Sequence, residues 1–214
     1  MNGAHPLASL THLWRYPTKS LAAEPLERAH IGAEGLDGDR RRALFVTTPD
    51  HARSGKTFRG KEHNRLHLLR DSDDAVALAG SGGVALECQN RGPYFDAQPV
   101  SVLLDTWLGQ LEALLGFALD PLRFRPNLFA RASGPVPEGP ALVGALLRAG
   151  SVELRVVAPI VRCVTPSYDV ASGKPNPELQ RALVQHLDNQ MGVYCTVERA
   201  GSLAPGDVIT META

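Results

Sequence analysis

The feature that most restricts the fold of this chain is its run of short β-like segments that never settle into a regular strand–helix alternation. Ala43 to Thr48 (ALFVTT), Val152 to Ala158 (VELRVVA) and Tyr194 to Arg199 (YCTVER) are rich in Val, Leu and Thr and bounded by Gly, Pro or charged residues. Strands without βα alternation argue for a barrel or barrel-like sheet rather than a doubly wound fold. Two stretches carry helical spacing instead. Val100 to Gly116 places Val102, Leu103, Trp107, Leu108, Leu111, Leu114 and Leu115 three to four residues apart, and Pro177 to Met191 puts Leu179, Leu183, Val184 and Leu187 on one face. Asn176 before Pro177 suits a helix start. The expected class is mainly β with a few helices.

Pro and Gly gather at 134–140 (GPVPEGP) and 172–177 (SGKPNP), both read as surface loops, while 71–99 is rich in Gly, Asp and Ala. A shift in character near residue 95 divides the 214 residues into a β-rich part, 1–95, and a second part, 96–214. The 22 basic and 23 acidic side chains nearly cancel, giving no general argument for nucleic acid or an anionic membrane. No stretch approaches the roughly 18 to 20 apolar residues that span a bilayer. The N-terminus lacks a basic segment followed by an apolar run, so a cytoplasmic location is expected.

Cys88, Cys163 and Cys195 are widely spaced and odd in number, with no CxxC pair, which disfavours a zinc site or a disulfide framework. Each lone cysteine reads first as a small buried hydrophobe. Cys163 differs in its neighbours. Arg162 precedes it, Thr165 and Asp169 follow, and an adjacent cation favours the thiolate, the form that binds soft or high-valent metals. Cys88 and Cys195 sit in strand-like surroundings.

Five segments set polar groups beside apolar strands: WRYPTKSL (14–21), GLDGDRRR (35–42), RFRPNLF (123–129), VRCVTPSYD (161–169), and Gly192–Tyr194 with GSLAPGD (201–207). Arg and Lys supply fixed donors for phosphate oxygens, Ser and Asn add neutral hydrogen bonds, and glycine turns let amides approach an anion. Lys19, Ser20, Arg40, Arg125 and Asn127 would together make a phosphate–pterin cradle. Plainer readings stand beside this one. Arg41 and Arg42 read as a solvated face, Arg125–Pro126 as a turn, and Asp207 as a turn residue.

Taken together, these segments resemble the MOSC family, named for the C-terminal domain of molybdenum cofactor sulfurases, and within it the amidoxime-reducing components and their bacterial counterparts. WRYPTKSL resembles the Y-P-x-K-S motif and GLDGDRRRALFV the G-L-x-G-D-R strand entry. FRPN stands unaltered at 124–127, RCVTPSYD resembles the R-C-x-x-T signature, and GVYCTVERAGSLAPGDVI the closing G-x-Y…G-D-x-V pattern. The matches run in order over nearly the whole chain. The resemblance implies a MOSC β-barrel core with a β-rich N-terminal subdomain closing over a molybdenum–molybdopterin cofactor. It assigns Cys163 as the metal ligand and Lys19 and Ser20 as phosphate contacts. Arg40, Arg125, Asn127, Arg162 and Tyr194 become further cofactor contacts, and Asp169 a catalytic group near the metal. Two departures stand out. Cys163 to Thr165 is one residue shorter than in some members, and Leu104-Asp105-Thr106 places an acid where the family often has Ser or Thr near the phosphate.

The implied activity is reduction of N-hydroxylated or N-oxide small molecules, with electrons from separate flavin or iron–sulfur proteins and with no nucleic-acid or membrane partner. The alternative is a cofactor or sulfur carrier that uses a Cys163 persulfide. A non-enzymatic anion-binding domain is a third possibility, although no GxGxxG or GxxxxGK[ST] motif supports a nucleotide. A hydrolase is disfavoured: GxSxG is absent, and Asp37 and Asp39 lie too close in a glycine turn to form an acid–base pair, so that Asp39 reads as orienting Arg40. His63 and His67 lack the glutamate of a zinc protease and read as surface or packing residues.

Overall fold

The computed structural model describes residues 5–212. Thirteen strands follow in chain order: β1 (His5–Arg15), β2 (Glu24–Leu26), β3 (Ala29–Gly32), β4 (Gly35–Leu36), β5 (Ala43–Val46), β6 (Leu86–Gln89), β7 (Val100–Leu104), β8 (Leu128–Ala132), β9 (Leu146–Ala149), β10 (Val152–Val161), β11 (Gln190–Arg199), β12 (Gly201–Leu203) and β13 (Val208–Glu212). Three α-helices accompany them: α1 (Ser72–Ser81), α2 (Asp105–Leu115) and α3 (Pro177–His186).

Seven strands close a barrel in the order β13-β9-β10-β11-β7-β8-β1, with β1 pairing back to β13 and β2 extending from β1. Closure removes the free sheet edges that an open sheet of short strands would leave. Every neighbouring pair in the ring is antiparallel except β7 and β8. A parallel pair needs a crossover, and α2 supplies it, burying Trp107, Leu108 and Leu111 against the barrel. The main core fills the barrel and the space under α2 and α3. A second apolar cluster joins Leu21, Leu44, Phe58, Leu66, Ala75 and Leu86 beneath α1 and the β5–β6 pair.

The mainly β architecture with a few helices stands as expected, but three element boundaries differ. The apolar run from Val100 begins as a strand. All five residues of β7 are buried because the strand lies between the barrel interior and α2, and such a continuous apolar run carries no period-two signal. The helix from Pro177 ends at His186, not near Met191. Asp188 and Asn189 both adopt left-handed backbone (φ 48° and 56°), which breaks the helix and redirects the chain into β11. Met191 is buried within that strand, so its apolar spacing only extended the apparent period. The Asp-rich start of 71–99 is a helix, α1, capped by the Asp71 carboxylate accepting from the Asp73 amide at 2.7 Å. Among the described residues, no helix is long and apolar enough to cross a membrane.

Candidate functional site

The residues of interest converge where β1 leaves the barrel. After Arg15 the chain turns through Tyr16–Ser20 and locks onto the segment that carries Arg40. The Lys19 amide donates to the Arg42 carbonyl (2.8 Å) and the Arg40 amide to the Tyr16 carbonyl (2.7 Å). On the far side, Phe124 ends a short 3₁₀ turn that Arg125 caps, β10 delivers Ile160 and Val161, and the chain then runs through Arg162 to Cys163. These elements enclose a cavity of about 290 Å³.

Seven of the nine residues singled out in the sequence line it: Lys19, Ser20, Arg40, Arg125, Arg162, Cys163 and Tyr194. Two do not. Asn127 is buried behind the wall (1% exposed). Its Oδ1 accepts from the Ser101 amide and hydroxyl (3.2 and 3.0 Å) and from Arg40 Nη1 (3.4 Å), and its Nδ2 donates to the Trp14 carbonyl (3.2 Å). It therefore ties β1, β7 and Arg40 together rather than facing a ligand. Asp169 also lies off the cavity wall. Its Oδ2 accepts from Arg123 Nη2 (2.8 Å), and its Oδ1 accepts from the Ser172 amide and hydroxyl (2.9 and 2.8 Å). Asp169 thus holds Arg123, which itself lines the cavity. Asp105 does not approach the cavity either: at the start of α2 its carboxylate accepts from the Ala132 amide at 2.8 Å.

Arg59 and Lys61 join the wall from a segment outside the five polar ones, and Arg123 joins it from the RFRPNLF segment. A 3₁₀ turn, Gly60–Glu62, brings in the first two, and the Gly60 amide donates to Ser20 Oγ at 3.1 Å. The basic FRGK run around a glycine was the one signal for them. Among the described residues, the wall then holds seven cationic side chains and a single carboxylate, Asp96.

Several of these cations are engaged. Lys19 Nζ lies 2.6 Å from Asp96 Oδ1, Arg40 pairs with the buried Asp39, and Arg59 pairs with Glu62. Burial works against the charge of Arg40, but Asp39, Tyr16 and Asp96 together outweigh it and hold the guanidinium protonated. Arg162 donates to the Phe124 and Met191 carbonyls (2.9 and 2.8 Å) and so fastens the FRPN turn to β11. Burial brings Arg162 down to about 10, which still leaves it charged at neutral pH.

Arg125 is different. Its Nη2 is buried and has no hydrogen-bond partner among the described residues, and its guanidinium stacks on the fully buried ring of Tyr16, with Cζ 4.2 Å from the centroid. Arg40 meets the same ring at 4.8 Å, and the Tyr16 hydroxyl donates to the Pro126 carbonyl at 3.0 Å. Burial and the neighbouring Arg40 both disfavour the charge on Arg125. A buried cationic donor without an acceptor is costly, and an anion in the cavity removes that cost. Three wall residues, Ser20, Arg40 and Arg125, also hold left-handed backbone (φ 73°, 48° and 51°). Non-glycine residues avoid this region, and such strain concentrates at functional sites.

At the rim, Cys163 is exposed, with Sγ 3.1 Å from Thr165 Oγ1. Cys195 is buried in β11, where desolvation pushes its thiol up to about 12, and Cys88 is half-buried on β6. Among the described residues there is no group of three or more His, Cys, Asp or Glu side chains that could hold a metal. A metal at Cys163 must therefore bring most of its ligands with it. His63 follows one short 3₁₀ turn in extended backbone and His67 lies within the next, where its Nε2 is 2.8 Å from the Asp169 carbonyl, a packing role.

The MOSC domain family model matches residues 89–210, more than half of the chain. No curated protein sequence matches it. Among solved structures, the YuaD protein of Bacillus subtilis is 18% identical over the full length of both chains, with a TM-score of 0.63. YiiM from Escherichia coli is 10% identical, covering 99% of this chain and 71% of its own, with a TM-score of 0.50. At these identities the likeness is one of fold.

Proposed function

The chain belongs to the MOSC domain family, and from that premise we propose that its cavity binds a molybdenum–molybdopterin cofactor, with Cys163 as the protein ligand to the metal. The observation that carries this reading is the buried Nη2 of Arg125, without a hydrogen-bond partner among the described residues, on the same cavity wall as the exposed Cys163 thiol. The donor set fits such a group: an anionic phosphate at the Lys19, Arg40 and Arg125 end, and one soft thiolate for a metal whose other ligands come from the cofactor itself.

In this reading the protein binds and orients. Arg125 and Arg40 present fixed donors, held flat by the Tyr16 ring. Ser20 anchors the turn that brings Arg59 and Lys61 over the cavity. Phe124 and Ile160 cover part of the wall and exclude water. Burial raises the Tyr194 phenol, which keeps it protonated at neutral pH and able to donate a hydrogen bond into the cavity. When bound, the molybdenum supplies the two-electron chemistry. The reaction proposed is reduction of an N-hydroxylated or N-oxide compound. Two electrons from a separate flavin or iron–sulfur protein and two protons cleave the N–O bond and release water.

Elemental analysis of protein made in a cofactor-competent host tests the assignment. Near-stoichiometric molybdenum that is lost in Cys163→Ala supports it, whereas molybdenum retained by the variant overturns the ligand assignment.

The exposure of Cys163 favours one second reading, a carrier that passes sulfur from a Cys163 persulfide to an acceptor. A persulfide found on Cys163 by mass spectrometry, in protein free of molybdenum, would select it.

A further inference from the structure

Among the described residues, the one carboxylate on the cavity wall is set against a largely buried cation, Lys19. Asp96 Oδ1 is 2.6 Å from Lys19 Nζ, which also donates to the Phe95 carbonyl at 3.2 Å. The two side chains differ sharply in exposure, 13% for Lys19 and 67% for Asp96. Lys19 is therefore fixed in the wall, while Asp96 reaches it from the solvent side. The segment that carries Asp96 contains no helix or strand between β6 and β7. It is pinned shortly before Asp96, where the Gly92 and Tyr94 amides donate to the Arg41 and Arg40 carbonyls (3.0 and 2.9 Å), and again where Val100 enters the barrel. Between the pins, Asp96 is exposed and belongs to neither apolar cluster. Its charge is felt not only by Lys19 but also by Arg40, Arg125 and Arg162.

Resting on the reading of this cavity as an anion site, we propose that Asp96 is a specificity-determining residue, a tethered carboxylate that holds Lys19 until an anion of higher charge replaces it. The physical basis is competition between a tethered and a free ligand. A carboxylate attached to the same chain has an effective concentration in the millimolar range or above. A free monocarboxylate that takes its place gains no charge and loses that advantage. A phosphate monoester dianion or a pyrophosphate gains at Lys19 and also reaches the partnerless Arg125 Nη2. Asp96 thereby sets a charge threshold: multiply charged phosphates enter, and the abundant singly charged carboxylates do not.

The test is calorimetric titration of the full chain, made in a host unable to synthesise the cofactor, with inorganic pyrophosphate and separately with acetate. The parent and Asp96→Asn are compared. Asp96 is exposed, so the variant is expected to melt within a degree or two of the parent, as surface substitutions do. The proposal predicts pyrophosphate binding about tenfold tighter in Asp96→Asn, since a competing anion has been removed. It also predicts that acetate binds to the variant and not to the parent. Pyrophosphate affinity that is equal or weaker in the variant overturns the proposal and leaves the anion site standing, as does acetate binding of equal strength to both proteins. Absence of pyrophosphate binding in both overturns the anion-site reading and this proposal with it.

Discussion

The guanidinium of Arg125 lies 4.2 Å above the buried ring of Tyr16, with its Nη2 unmatched by any acceptor. Arg125 also caps a 3₁₀ turn in left-handed backbone (φ 51°, ψ 47°). Charge burial and backbone strain each disfavour the folded state, so this residue weighs against stability unless an anion answers its charge. Arg125→Gly removes both costs and one stacking contact. It is expected to stay within about 1 kcal/mol of the parent in chemical denaturation while losing roughly tenfold or more in pyrophosphate affinity. A variant that bound pyrophosphate as the parent does would remove Arg125 from the site.

Asn127 should behave in the opposite way. Its side chain meets donors from Ser101 and Arg40 and donates to the Trp14 carbonyl, all inside the protein. Asn127→Ala leaves several buried groups without partners and is expected to cost about 2 to 3 kcal/mol. The denaturation midpoint should fall with an unchanged slope. Loss of anion binding without loss of stability would instead make Asn127 a direct contact.

The three thiols should separate by reactivity. Cys163 is exposed, Cys88 is half-buried, and Cys195 is buried with its thiol pushed up to about 12. Brief iodoacetamide treatment of the native protein is expected to alkylate Cys163 first and to leave Cys195 unmodified until the barrel unfolds. Peptide mass mapping reads the order, and Cys163→Ala should lack the fast phase.

Stability should fall on mild acidification through His67. Burial, together with nearby Arg125 and Arg123, lowers its folded-state value below the ordinary 6.5, despite the Asp169 carbonyl at 2.8 Å. Below about pH 6.5 the unfolded chain takes up the proton and the folded chain resists it, so acid favours unfolding. The contribution is complete above pH 6.5 and is lost as pH drops toward the folded value. Melting temperatures measured from pH 7.5 down to 5 should decline less steeply in His67→Gln than in the parent. Identical slopes would show that His67 does not titrate out of line with the unfolded chain.

Much of this protein follows from its linear order. Short apolar runs with no strand–helix alternation already argue for a barrel-like sheet, because isolated strands are not stable alone and must pair into a sheet that buries an apolar face. The ordered motifs around Lys19, Arg40, Arg125 and Cys163 carry most of the cavity wall. What local pattern could not settle lay in places where neighbours distant in sequence decide the outcome. Val100–Leu104 is a strand because α2 covers its outer face, and an apolar run buried on both faces has no period to read. Asn127 faces inward and Asp169 faces Arg123 because of partners on other segments. Arg59 and Lys61 reach the cavity through long-range contacts such as the Gly60–Ser20 bond, across forty residues of chain. Residue chemistry named the donors, and three-dimensional packing decided which of them lack a partner within the protein and so remain open to a ligand.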